Sequence, residues 1–114
     1  MIDKRVFDRY RVNFKCYVAF PEDVRIYEAQ LLDLSLTGMR LVTEAPLAPG
    51  KIIHFSFTSN PPVKGKARVA WCNQKGKEYM AGLEITELSD RFREALQKVI
   101  NDLTLQNLTD SYCR

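Results

Sequence analysis

Two periods divide this chain. Through residues 12–20 the apolar Val12, Phe14, Cys16, Val18 and Phe20 alternate with Asn13, Lys15, Tyr17 and Ala19, the two-residue period of a strand with one buried face. Pro21-Glu22-Asp23 breaks it. Residues 25–33 give a second strand with less distinct faces, Tyr27, Ala29 and Leu31 against Ile26, Glu28, Gln30 and Leu32. The turn-rich Ser35-Leu36-Thr37-Gly38 leads to a short third strand in which Met39 and Leu41 flank Arg40, and Ala48-Pro49-Gly50 supplies the next turn. Alternation is cleanest over residues 51–58, where Ile53, Phe55 and Phe57 oppose Ile52, His54, Ser56 and Thr58.

Ser59-Asn60-Pro61-Pro62 reads as a loop, because consecutive prolines donate nothing to a ladder. A strand over residues 68–72 follows, and strict alternation groups Trp71 with Ala67 and Val69, which predicts a core position for the indole. Asn73-Gln74-Lys75-Gly76-Lys77 reads as a polar hairpin loop into a strand over residues 78–86, where Tyr79, Ala81, Leu83 and Ile85 alternate with Met80, Gly82, Glu84 and Thr86. The period then changes. Phe92, Ala95, Leu96, Val99, Ile100 and Leu103 fall on one stripe of a helix, with Ser89 as its N-cap and Asp90 near its positive end.

Six short strands and one amphipathic helix predict a mostly β fold: a small antiparallel barrel whose open side is covered by the helix. The barrel and helix take residues 12–104. Residues 1–11 form a basic arm before them, and residues 105–114 a tail without clear period, which either frays or extends the helix.

Composition narrows the function classes. With 114 residues, 46% hydrophobic and 27% charged, the chain reads as one ordinary globular domain. No apolar run spans a bilayer, and the charged start Met1-Ile2-Asp3-Lys4-Arg5 lacks the apolar core of a signal peptide, so a cytoplasmic location is expected. Cys16, Cys72 and Cys113 have no paired spacing, which argues against both a disulfide framework and a zinc site. The net charge of +3 is too mild to mark a nucleic-acid binder by itself. The excess, however, gathers in the first eleven residues: Lys4, Arg5, Arg9 and Arg11 against Asp3 and Asp8.

Two segments are polar where a barrel needs nothing polar. In the arm, Arg5 and Arg9 have the spacing that lets two guanidinium forks converge on one ligand, gripping a phosphate or stacking on a planar base. At the end of the second strand, Asp33-Leu34-Ser35-Leu36-Thr37-Gly38 sets a carboxylate and a hydroxyl two residues apart, acceptors suited to the N1 and N2 hydrogens of guanine. Gly38 there allows a positive φ and close ligand approach. The bland alternatives are a solvated arm and an ordinary turn between strands. Arg11 reads as solvated and Arg40 as a secondary contact. His54 has no ligand-spaced partners, and Ser35 has no base beside it, so neither metal binding nor nucleophilic catalysis is supported.

The pair Arg5-Val6-Phe7-Asp8-Arg9 and Asp33-Leu34-Ser35-Leu36-Thr37-Gly38 resembles the R-x-x-x-R and [D/N]-x-S-x-x-G motifs of the PilZ domain, a bacterial receptor module for cyclic di-GMP. The likeness continues through Ala48-Pro49-Gly50, Arg68-Val69-Ala70-Trp71 and Ala81-Gly82-Leu83-Glu84-Ile85 to the final helix. It implies a six-stranded Greek-key β-barrel with a C-terminal α-helix and no cofactor. It implies cyclic di-GMP as ligand, gripped by Arg5 and Arg9 and receiving a guanine at Asp33, Ser35 and Gly38. Lys4, just before the first motif arginine, accompanies two intercalated ligand molecules in relatives. The expected output is ordering of the arm, read by an unidentified protein effector, with no DNA involved. Two other readings stay open: a barrel of this type kept as a protein-interaction adaptor without nucleotide, and a small barrel binding single-stranded nucleic acid. The second is opposed by the inward parity of Phe14, Phe55, Phe57 and Trp71.

Overall fold

The computed structural model describes residues 10–12 and 14–112, with side chains as far as residue 105. They form seven strands and one helix: β1 Tyr10–Arg11, β2 Lys15–Ala19, β3 Ile26–Leu34, β4 Gly38–Thr43, β5 Ile52–Phe57, β6 Val63–Lys75, β7 Glu78–Glu87 and α1 Asp90–Tyr112. Going round the sheet the order is β3, β2, β5, β6, β7, β4, and β4 pairs back onto β3, so six antiparallel strands close into a barrel. The chain runs β2, β3, β4 by adjacent pairing, then crosses so that β5 lies beside β2, which is Greek-key connectivity. β1 is an extra strand on β3.

The period-two faces explain the core. Cys16, Val18, Leu31, Ile53, Phe57, Val63, Ala67, Val69 and Leu83 point inward and are buried, and most polar strand residues turn out, Thr43 being buried with its hydroxyl donating to the Glu28 carbonyl at 2.9 Å. Ala45 and Leu47, in the crossover from β4 to β5, are buried with them. The helix adds Leu96, Val99 and Ile100 to the core, with Phe92, Ala95 and Leu103 packed at its margin, as the stripe predicts. The Ser89 carbonyl accepts the first helical hydrogen bond, from the Arg93 N–H at 2.8 Å. The chain leaving β7 passes close over β6 because Gly65 has no side chain: a Cβ there would meet the Glu87 carbonyl oxygen and Leu88 Cδ2, each at 2.6 Å.

Strand pairing slips at three places, one of them near the end of β7, where Lys66 pairs with Glu87 but Ala67 with Ile85, so that Thr86 is extra; the other two reset the faces of β3 and β6. In β3, Leu31 pairs with Leu41 but Asp33 pairs with Arg40, so Leu32 is an extra residue. In β6, Val69 pairs with Leu83 but Trp71 pairs with Gly82, so Ala70 is extra. Each bulge resets the parity by one residue. Leu31 and Leu34 both point inward while Asp33 turns out, and Val69 and Cys72 both face the core while Trp71 turns out. The core position expected for Trp71 is therefore wrong: it is 39% exposed.

Other boundaries shift too. The first strand starts at Lys15 rather than at residue 12, and Tyr10–Arg11, placed in the arm, belong to the sheet. The polar segment 73–77 is strand up to Lys75, and the turn is only Gly76 and Lys77, with Gly76 at the positive φ of 63° that a two-residue hairpin needs. Residues of the tail extend the helix to Tyr112.

Leu96, 1% exposed, carries the helix onto the barrel. Leu96→Ala should cost about 3 kcal/mol in urea or thermal unfolding, whereas Leu105→Ala, at a 61% exposed position, should change stability by less than about 0.5 kcal/mol. Burial pushes the Cys16 thiol up to about 12, against a weaker opposing pull from a backbone hydrogen bond at Ser56. Because the folded thiol holds its proton more tightly than the unfolded one, the stabilisation is complete below about 9 and is lost as pH rises toward 12. Alkylation at pH 8 should therefore spare Cys16 in the native chain and label it only in denaturant, as read by mass spectrometry.

Candidate functional site

The bulges at Leu32 and Ala70 lie on either side of the β4–β7 pair, and the residues they turn outward fall in one line. Arg11 pairs with Asp33, Asp33 with Arg40, Arg40 with Gly82 and Gly82 with Trp71. Directly paired residues present their side chains to the same side of a sheet. A single row across β1, β3, β4, β7 and β6 thus carries two arginines, a carboxylate and an indole on the outside of the barrel.

Within the row the contacts are specific. The Arg40 Nε–H donates to Asp33 Oδ2 at 2.6 Å, in a pair where the Asp33 side chain is 4% exposed and that of Arg40 is 42% exposed. Such a charge-assisted bond offsets the desolvation of a carboxylate and fixes the plane of the guanidinium. The indole of Trp71 packs directly against Gly82, where an added Cβ would collide with indole Nε1 and Cε2. Gly82 is therefore the position that lets the indole rest on β7 while the residue stays 39% exposed. An isolated glycine in an otherwise regular strand was the sequence signal for this close approach.

Ser35 and Gly38 do something different from what the sequence suggests. The Ser35 hydroxyl donates to the Gly38 carbonyl at 3.2 Å and accepts from the Thr37 and Gly38 N–H groups at 3.3 and 3.0 Å. That exhausts one donor and two lone pairs. The Ser35 N–H also donates to the Gly38 carbonyl at 2.8 Å, and the Ile85 N–H to the Thr37 carbonyl at 2.9 Å, which ties the turn to β7. Ser35 thus presents no free hydroxyl; it builds the loop. Gly38 opens β4 in an ordinary strand conformation, the positive-φ glycines among the described residues being Gly50 and Gly76.

β1 brings the arm to this site. Tyr10 pairs with Leu34, and the Val12 N–H donates to the Leu32 carbonyl at 3.2 Å, so the chain enters the barrel beside Asp33. Tyr10 is held from below by α1, whose Thr104 hydroxyl meets the Tyr10 hydroxyl at 3.1 Å. Lys4, Arg5 and Arg9 lie outside the described residues. His54 is exposed on β5, on another face of the barrel, and no metal-binding cluster occurs among the described residues.

A sequence model described as the PilZ domain matches residues 3–102, which takes in both motifs and the barrel. The chain belongs to the PilZ domain family. Three solved structures that it resembles are bacterial. The PilZ domain of YcgR from Escherichia coli, solved with c-di-GMP, is 18% identical, with 96% of this chain and 98% of that one covered at a TM-score of 0.73. The Bacillus subtilis inhibitor of motility MotI/DgrA is 15% identical, with 92% of this chain and 53% of that one covered, TM-score 0.73. The K. pneumonia MrkH–c-di-GMP complex is 15% identical, with 96% and 57% covered, TM-score 0.74. The chain spans about half the length of MotI/DgrA and MrkH. No curated protein matches it by sequence. The PilZ barrel predicted from the motifs is thus the observed fold, with one strand more than expected.

Because Trp71 is the chain's single tryptophan, its emission reports on this row. Gly82→Ala should lift the indole from β7, shift its fluorescence to longer wavelength and cost about 1–3 kcal/mol of stability through overpacking. An unchanged spectrum would show that the ring does not rest on Gly82.

Proposed function

We propose that this PilZ domain is a non-catalytic receptor for cyclic di-GMP, working in the bacterial cytoplasm and passing its signal to a protein effector. The observation that carries the reading is the juxtaposition made by β1: the segment bearing Arg5 and Arg9 leads directly into a strand paired with Asp33. Guanine offers acceptors at O6 and N7 and donors at N1 and N2, and the ligand carries two phosphodiester charges. The two arm guanidiniums suit the phosphates and the O6/N7 edge. The donor edge suits the Asp33 carboxylate and the loop that Ser35 and Gly38 shape, with Lys4 and Arg40 as further cationic contacts and Lys4 favouring a second, intercalated ligand.

The exposed indole adds a platform. A purine stacking on the Trp71 indole is worth about 1–3 kcal/mol, and Arg40 beside it, fixed by Asp33, sits within the same row. Binding orders the arm against the barrel, and the altered surface is what the effector reads.

Isothermal titration with cyclic di-GMP tests this on the wild type and on Arg5→Ala, Arg9→Ala and Asp33→Asn. Loss of one charge-assisted contact should cost on the order of 2 kcal/mol, about thirtyfold in affinity. Trp71 emission should change on titration of the wild type. No heat and no thermal shift with the wild type at high ligand concentration would leave the adaptor reading in its place, and binding of single-stranded DNA with a steep salt dependence would favour the nucleic-acid reading.

A further inference from the structure

A second surface, sharing no residue with the Asp33–Trp71 row, has the properties of a docking site. The β2–β5–β6 register puts Tyr17, Ser56 and Lys64 in one outward row and Ala19, His54 and Lys66 in the next. Ile26 extends the second row, opposite Ala19. Between these rows and the start of α1 lies a groove of about 740 Å³ that Phe92 closes on the helix side. Its size is that of a site for a side chain or short peptide. Its apolar content is unusual for a solvated face: Ile26 is 71% exposed and Tyr17 37%, and contiguous exposed apolar surface marks interaction sites.

The rim supplies the sign of the partner. Lys64 and Lys66 line the groove from the barrel, and Arg91 and Lys98 line an adjoining hollow of about 290 Å³ on the other side of Phe92. Against these four cations stand Glu87 and Glu94. Lys66 and Glu87 meet at 3.6 Å with both side chains well exposed, a bridge that rearranges at little cost. Lys64 makes no ion pair among the described residues. A second copy of the chain carries net charge +3, and the arm contributes Lys4, Arg5 and Arg9 against Asp3 and Asp8, so neither complements this rim.

We propose that this groove docks an acidic segment of another protein, which inserts a large apolar side chain between Ile26, Tyr17 and Phe92 and sets flanking carboxylates on Lys64, Lys66 and the cations of α1. Apolar anchoring supplies affinity, and the charges supply orientation and partner choice. The site does not depend on the dinucleotide reading. Along β6, Lys64 stands about 23 Å from Trp71 at the ordinary rise of a strand, so a partner here leaves the other face open.

The test is selection of a random-peptide phage library on the immobilised full chain, with depletion on the Ile26→Glu, Lys64→Glu double variant. Both positions are exposed, and unchanged melting temperature and Trp71 emission verify that the variants fold. Enriched peptides should carry an aromatic or leucine flanked by Asp or Glu. A synthetic copy should lose about tenfold in affinity on Ile26→Glu or on Lys64→Glu singly and bind more tightly to Glu87→Gln, which frees Lys66. Its amide shifts should fall at Tyr17, His54 and Lys66 and not at Asp33 or Trp71. No enrichment, enrichment without carboxylates, or affinities indifferent to both substitutions would overturn the proposal. A concentration-dependent dimer in sedimentation, abolished by Ile26→Glu, would overturn it in favour of a second copy.

Discussion

The candidate site depends on two residues that are left over in the pairing of one strand with the next. Leu32 in β3 and Ala70 in β6 are each one residue too many for the strand opposite. Without the first, Asp33 would share the inward parity of Ala29 and Leu31, and an ionised carboxylate in that apolar interior is far costlier than a local kink in a ladder. Without the second, the indole would occupy the inward parity of Ala67 and Val69, where a core already packed by its neighbours has no room for so large a ring. Bulges also raise local twist and bend a strand, which a closed barrel of only six strands requires. One device thus serves closure and display together.

Its consequence is a site built on paired strands. Asp33, Arg40 and Trp71 stand on consecutive neighbours of one hydrogen-bonded ladder, and each is fixed by something other than its own rotamer preference. Arg40 holds Asp33, Gly82 supports Trp71, and the saturated hydroxyl of Ser35 holds the turn that follows β3. Groups fixed before a ligand arrives lose little conformational freedom on binding it.

How much of this could be read from the sequence follows the same physics. The clean alternation of Ile53, Phe55 and Phe57 and the helical stripe from Phe92 to Leu103 are the observed buried faces. The Asp33-to-Gly38 motif spans the end of β3 and the turn into β4, where the Ser35 hydroxyl is taken up by the turn itself. Trp71 was misread because a bulge has no side-chain signature: Ala70 fits a regular strand as well as an irregular one. Extension of β6 to Lys75 was hidden because an exposed hairpin limb of Asn, Gln and Lys satisfies its backbone in the ladder whatever its polarity. Tyr10–Arg11 was hidden because two residues are too few to show a period. Gly82 was the legible clue, a glycine where a strand needs none.

Closure also decides which element is tied least to the rest of the fold. Six strands paired on both sides leave no free edge in the barrel, so their outward rows shift only at the cost of several ladder bonds together. β1 is different: it is two residues long, pairs on one side, and is held by its two backbone partners and by the Tyr10–Thr104 hydroxyl contact. The helix that makes this contact also supplies Phe92 to the groove on the far face, twelve residues and about 18 Å earlier along its axis. Of the two elements outside the closed ladder, the helix is anchored in the core by Leu96, Val99 and Ile100, so β1 is the element that the fewest bonds hold.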